Sequence, residues 1–392
     1  MSSPFATTPR VCFVADPHIG NHKRLAAPGS GGVNTRARLA LDALSVAATR
    51  AREWSCPLIV LGDLFDRANT DPRLIGATME AIARAPECFV LLGNHDAASA
   101  APGDNALSPL RFMPGVGVVD EPRVVKLHRP HEHAELWLVP WRPGPAKEWL
   151  APAVEALAEE ARRGRNRAGE APQVLLGLHL GMEDERTPVF LRGAEDSISA
   201  AFVAELMGRF NIRATFAGNW HDRRRWEFGG NATPREVIQV GTLSPTGWNN
   251  PGVEGYGGLA WWDGERVGID TIGGPRFLDA RSAEEFKGAV ELGRSGLPVF
   301  VRWWVEADDL SSAREAIDEA VAEGHLAGGE AVIDPAEAVV SARAAATAAR
   351  TAPSLDESLS RYVGSMELAE GVDRDAVLMR ARRYMGLAGG AA

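Results

Sequence analysis

The chain has 392 residues, too many for one ordinary core, since single cores stop growing near roughly 250 to 300 residues, so one large domain plus a tail is expected. With 45% hydrophobic and 24% charged residues it is globular rather than disordered, and no run approaches the roughly 18 apolar residues of a membrane span. The formal charge of -10 argues against broad, sequence-independent attraction to nucleic acid; it does not exclude a polyanionic substrate, because bound divalent cations would reverse the sign locally.

The opening MSSPFATTPR lacks the apolar core of a signal peptide. Cys12, Cys56 and Cys88 are odd in number and form no CxxC pair, so they read as buried thiols in a reducing compartment. A cytoplasmic location without membrane association is expected.

In chain order, VCFVA (11–15) reads as a strand, a Gly-rich loop runs to about Gly32, and 34–54 carries apolar residues at helical spacing. PLIVLG (57–62) is the next strand, 72–85 a helix and CFVLLG (88–93) a third strand. This alternation indicates parallel strands with crossover helices, a layered α/β domain whose loops collect at one sheet edge. From Val116 to Val139 shorter strands with close turns suggest a second, more antiparallel sheet. The segment 146–163 is an amphipathic helix, and QVLLGLH, RATFAG, EVIQVG, GGLAWW and RVGIDTI read as further strands, ending a two-sheet domain near residue 273. Beyond it, a strand at 297–307 and a helix at 310–324 predict a small α/β module over 274–334. An Ala-rich helical tail follows over 335–392, with capping-box spacing at Ser354 and Glu357 and another helix start at Asp373.

Five short pieces stand where apolar runs hand over to loops: Asp16 and His18 in VADPHIG, Asp63 in VLGDLFDR, Asn94 and His95 in LLGNHD, His179 in LLGLHLG, and Asn219 and His221 in FAGNWHDR. Mixed Asp, Asn and His donors suit hard or borderline divalent ions rather than soft copper. A hydrolytic two-metal site needs ions about 3.5 to 4 Å apart, and Asp63 can present one carboxylate oxygen to each. Asp16 and His18 converge only if the backbone bends between them, and Pro17 helps fix such a bend. Asn94 ligates without adding charge, His95 is left to donate a proton, and Asp96 can orient its ring. Asp66 and Arg67 are candidates for supporting the ligands or for a surface ion pair.

These motifs resemble those of the calcineurin-like metallophosphoesterases: D-x-H, GD-x-x-D, GNH-D/E, a later His, and GH-x-H, with Asn219 standing where the first His of the last motif is expected. The resemblance covers about residues 10 to 272 and implies a layered two-sheet sandwich flanked by helices, followed by the capping module and tail. It implies Asp16, His18, Asp63 and His221 on one metal, Asp63, Asn94, His179 and Asn219 on the other, and His95 as proton donor or transition-state stabiliser. Two divalent cations are implied, Mn2+ foremost with Mg2+, Fe2+ or Zn2+ as alternatives; the oxygen of Asn219 binds transition ions more weakly than imidazole, so either the second ion is held more loosely or Mn2+ and Mg2+ are favoured over Zn2+ there.

Within the family the chain looks most like the SbcD-type DNA-repair nucleases. The free His95, the stretch GTLSPTGWNNPGVEGYGGLAWWD (241–263) and the trailing module and helices carry that likeness. It implies a DNA exo- and endonuclease in repair or recombination, working with an SMC-like ABC ATPase bound by the tail, with homodimerisation left open. The alternatives are a phosphatase or phosphodiesterase for a small nucleotide or phosphoprotein, and a scaffold losing its metals.

Other features carry two readings each. Arg223 and Arg224 in HDRRRW can grip phosphates or form a solvated turn. RRGRNR (162–167) reads as a polar loop and HRPHEH (128–133) as a hairpin loop rather than a metal site. His22 reads as a substrate contact or a loop residue, and Trp248 as packing or a substrate contact. Trp303 and Trp304 read as packing residues on opposite faces of their strand.

Overall fold

The computed structural model describes residues 10–334 except 100, 102, 130–131, 164–171, 230–233 and 249–256, and residues 355–384 except 367 and 369–371. β1 (Val11–Val14), α1 (Thr35–Glu53), β2 (Leu58–Val60), α2 (Pro72–Ile82), β3 (Cys88–Leu91) and β4 (Val116–Val119) alternate, and the strands run parallel in the order β1-β2-β3-β4. The helix starts have side-chain caps: Asn34 accepts the Ala37 N–H (2.8 Å) at α1, and Asp71 accepts the Arg73 N–H (2.9 Å) at α2, where Pro72 occupies the first position.

β5 (Arg123–Arg129) and β6 (Glu132–Val139) form an antiparallel hairpin in which His128 faces His133, so most of HRPHEH is paired strand rather than loop. α3 (Ala146–Arg163) leads to β7 (Gln173–His179), the short parallel pair β8 (Gly181–Glu183) and β9 (Ser197–Ser199), α4 (Ala200–Phe210) and β10 (Ile212–Gly218). β11 (Arg224–Phe228) and β12 (Arg235–Gln239) complete a second sheet, ordered β11-β12-β10-β7-β6-β5.

That sheet corrects the antiparallel expectation. β6, β7, β10 and β12 are parallel, only the edges β5 and β11 are antiparallel, and β4 belongs to the first sheet. The reason lies in the connections, since α3 and α4 are crossovers of the length that parallel pairing requires. β13 (Gly258–Trp262) and β14 (Val267–Thr271) return to the first sheet, antiparallel beside β1.

The two sheets face each other, and strand alternation decides what each side chain meets. Val11, Phe13 and Ala15 point into the layer between sheets with Leu136, Leu175 and Phe216, whereas Cys12 and Val14 pack under α1 and α2. Phe13 stacks on Phe216 at 3.9 Å. A separate layer lies between the second sheet and α3 and α4. The result is a helix–sheet–sheet–helix sandwich in which the carboxyl ends of β1, β2, β3, β7 and β10 share one edge. The three cysteines are buried and free, with Cys12 and Cys56 Sγ 3.6 Å apart.

β15 (Arg276–Ala280), α5 (Ala283–Arg294), β16 (Val299–Val305), α6 (Leu310–Ala322) and β17 (Gly328–Ile333) build a small sheet of order β15-β16-β17. Trp303 stacks on Phe286 at 4.2 Å, while Trp304 donates its indole N–H to Asp279 (2.8 Å). Both tryptophans are packing residues.

The chain divides into two compact units, Met1–Trp304 with Ser311–Ala331, and Val305–Leu310 with Val332–Ala392. In the second, α7 (Leu355–Ser365) and α8 (Arg374–Tyr384) are joined by Arg382 to Asp356 (2.6 and 2.8 Å), and Asp373 caps α8 through the Asp375 N–H (3.0 Å). Ser354, the stretch 335–353 and most of RRGRNR lie outside the described residues. Among the described residues no helix is long and apolar enough to cross a membrane.

Candidate metal centre

Asp16 follows β1, Asp63 follows β2, Asn94 and His95 follow β3, His179 ends β7, and Asn219 and His221 follow β10, so the sheet edges bring all the motif residues to one place. The turns that present them are strained. Asp16 (φ 50°), His18 (44°), Asp63 (48°) and Asn219 (84°) all occupy the left-handed region. That region costs an L-residue about 1–2 kcal/mol, and such strain persists only where the surroundings hold it. Here they do: His18 N–H donates to Asp63 O (3.0 Å), Thr242 Oγ1 to Asp16 O (2.7 Å), and Asn219 N–H to the Asp16 carboxylate (2.9 and 3.1 Å).

The glycines of the motifs make room for the donors themselves. A Cβ on Gly62 (φ 88°) would lie 2.1 Å from His179 Nδ1, and one on Gly93 would lie 2.1 Å from Asp63 Oδ1.

Asp63 is central. Its Oδ2 lies 3.6 Å from His18 Nε2 and 3.4 Å from His179 Nε2, and its Oδ1 accepts the His95 N–H (2.9 Å). Donor atoms of Asp16, Asp63 and His179 lie within 4.8 Å of one another, as do those of His18, Asp63 and His95. His221 Nε2 is 3.0 Å from His18 Nε2, and Asn94 Oδ1 is 3.0 Å from His179 Nε2. Asp63 thus stands between the two groups, within reach of Asp16 and His179 and of His18, where one carboxylate can serve both ions.

The charge states fit cation binding. Burial pushes Asp16 up to about 7. Burial works the same way on Asp63, but the His179, His18 and His95 imidazoles hold it well below the usual carboxylate range. Burial drives His18 down to about 3 and also lowers His221, leaving neutral imidazoles with lone pairs to give. For His179 burial is outweighed by the Asp63 and Asp16 carboxylates, which lift it to about 9: without a cation, a proton on this ring neutralises the buried acids. The opposite nitrogen, Nδ1, meets the Leu61 carbonyl (2.6 Å), which leaves Nε2 facing the cluster, as for a metal-ligating histidine. Oxygen and nitrogen donors that converge in this way, with their outer atoms held by the chain, match the needs of two divalent ions.

The remaining residues take definite places. His95 is exposed, and its Nδ1 lies 3.0 Å from the Asp66 carbonyl. The Asp96 carboxylate, fully buried, accepts the N–H groups of Leu64 (3.3 Å), Phe65 (2.9 Å) and Gly93 (3.1 Å). Asp66, not Asp96, therefore orients the His95 ring, and Asp96 pins together the loops carrying Asp63 and Asn94. Asp66 also pairs with Arg67 (3.3 Å) and lies 3.9 Å from His18 Nδ1, which combines the two roles considered for it.

His22 Nε2 sits 3.1 Å from the His18 carbonyl and steadies that loop. Trp248 is a packing residue, donating to Leu278 O (3.2 Å) with its ring edge-on to Phe277. Arg224 is neutralised by Asp184 (3.2 Å), and Arg225 by Glu236 (2.5 Å). Arg223 differs: its Nε and Nη2 are buried with no acceptor, and burial lowers its pKa. Sequence reasoning missed Asp196, which receives the Asn219 side-chain amide, and Thr242, which anchors Asp16. Thr242 lay in a stretch already singled out; nothing local marks Asp196.

The fold and the donor set together define a metal-dependent phosphoesterase. The profile of the calcineurin-like phosphoesterases matches residues 9–223, more than half of the 392 residues, and the chain belongs to that family, whose members bind two divalent metals. Similar solved structures are a dimetal phosphatase from Danio rerio (11% identity, 68% of this chain and 96% of that one, TM-score 0.43) and a purple acid phosphatase from yellow lupin, Lupinus luteus (15%, 59% and 44%, 0.38). A third is a 5'-nucleotidase structure from Staphylococcus aureus (13%, 67% and 52%, 0.37). No curated protein matches the chain.

Proposed function

We propose that the protein is a metal-dependent DNA exo- and endonuclease of the SbcD type, cleaving phosphodiester bonds in repair or recombination beside an SMC-like ABC ATPase. The observation that carries this reading is the β15–β17 module fastened against the loops of the centre. Arg24, six residues after His18, forms a forked pair with Glu330 of β17 (2.6 and 3.1 Å). Arg36 donates to Thr246 O (2.6 Å) with its guanidinium over Phe277 and Phe300, and Trp248 closes the contact. A wall built beside the centre suits a substrate that extends past the scissile bond, as a polymer does.

In this reading Asp16, His18, Asp63 and His221 hold one ion, and Asp63, Asn94, His179 and Asn219 the other, with Mn2+ favoured. Bound ions supply water activation and charge stabilisation for in-line hydrolysis. The chain supplies the rest. His95, held at Nδ1 by the Asp66 carbonyl and edge-on to His18, keeps Nε2 to give a proton to the leaving oxygen. Arg223, two residues after His221, adds positive charge near the centre, which favours an anionic phosphate. The α7–α8 pair is the proposed ATPase-binding element.

Mn2+-dependent digestion of linear duplex DNA, alone and with the partner ATPase, tests the proposal; no cleavage in either case would sink it. A second reading, a phosphatase or phosphodiesterase for small nucleotides, is favoured by one observation. Arg224 and Arg225 already pair with acidic residues, which thins the basic track that a DNA duplex would follow. Fast turnover of small phosphoesters with indifference to DNA would select it.

A further inference from the structure

We propose that Asp196 is a positioning residue for the metal centre: it holds the Asn219 amide with its nitrogen turned away, so that Oδ1 is the end presented to the ion. The inference rests on the two-ion reading above.

The backbone at Asn219 has little freedom. A Cβ on the preceding Gly218 would lie 2.3 Å from Leu61 O, Asn219 itself is left-handed (φ 84°), and its N–H is tied to the Asp16 carboxylate. What remains open is the amide flip. With nitrogen toward the centre, two hydrogens would face the cations and no lone pair would be offered; with oxygen toward it, Asn219 is a ligand.

Asp196 decides between these states. Asn219 Nδ2 donates to Asp196 O (3.0 Å) and Asp196 Oδ2 (3.1 Å), which uses both amide hydrogens, and among the described residues no donor reaches Oδ1. Two acceptors on one side define the flip without ambiguity. The holder is itself rigid: the Asp196 carbonyl also accepts the Gly181 N–H (3.0 Å), and Asp196 precedes β9, which pairs with β8 just beyond His179.

The pair thus does for an amide what a carboxylate does for a metal-bound imidazole, orienting it through an N–H bond on the far side. It differs in delivering oxygen instead of nitrogen. The second ion would then have oxygen from Asp63, Asn94 and Asn219 against nitrogen from His179 alone, a set that prefers Mn2+ or Mg2+ to Zn2+.

Mn2+ titration of the full chain, followed by calorimetry and by the electron paramagnetic resonance of the coupled ion pair, tests this. Asp196→Ala is expected to weaken one of the two ions about 10- to 100-fold, to leave the other unchanged, and to erase the coupled signal at limiting metal. Asp196→Asn, which keeps an acceptor oxygen, should lose less. Wild-type affinity for both ions in Asp196→Ala would overturn the proposal, as would equal weakening of both together with a lower metal-free melting temperature. If the unaltered chain binds no Mn2+, the two-ion reading falls and this inference with it; if it binds two ions and Asp196→Ala does too, only the inference fails.

Discussion

Replacing Asp96 by alanine removes the acceptor of three backbone donors, the N–H groups of Leu64, Phe65 and Gly93, in a site closed to solvent. A buried donor left without a partner costs about 1–3 kcal/mol. Discounting the long bond from Leu64, the two remaining donors come to about 2–6 kcal/mol, a large share of the roughly 5–15 kcal/mol that holds a typical domain folded. Urea unfolding of metal-free protein at pH 8 measures it. Asp96→Asn, which keeps one acceptor oxygen, should lose about half as much and stay folded for kinetics. If Asp96 instead served His95, Asp96→Ala would keep its stability within about 1 kcal/mol and lose kcat alone. That outcome would refute the anchoring role.

Further expectations follow from the residues in and around the centre. His179, lifted from 6.5 to about 9, keeps a proton in the metal-free fold that the unfolded chain releases, so its contribution to stability is complete below about pH 6.5 and is lost as pH rises toward 9. The drop is roughly 3 kcal/mol and bound Mn2+ should abolish it; a metal-free melting temperature that stays flat or rises across that window would contradict the assignment. Arg223→Ala should leave urea-unfolding stability unchanged or raise it, since it removes a half-buried cation two of whose buried N–H groups have no acceptor. Arg224→Ala should do the reverse, costing about 1–2 kcal/mol through Asp184 with little kinetic effect. Asn219→His should retain activity while shifting metal content toward zinc, and activity lost outright would count against Asn219 as a tolerated ligand.

Much of this was legible in the chain itself because the signals are local. The strand before each ligand is a short apolar run, the helix starts carry Asn34, Asp71 and Asp373, and Asp16, Asp63, Asn94 and His179 sit where a buried strand meets its loop. Local signals failed where pairing decided the outcome. β4 and β6 look alike as isolated runs, yet β4 joined the first sheet and β6 entered a parallel set, because crossover helices rather than strand composition choose neighbours. β15 and β17 went unread for a similar reason: each is a short, partly exposed strand that becomes one only beside β16.

The site divides the same way. Residue type and spacing determined which side chains can hold metal, since donor chemistry belongs to the residue. Tertiary structure alone decided what each one does: Asp96 turned from the His95 ring to three backbone donors, Arg224 into an ion pair with Asp184, and Arg223 was left unmatched. Asp196 reaches Asn219 across 23 residues and two different loops. No local pattern records such a contact, because it exists only once β7 and β10 lie side by side and bring their following loops together.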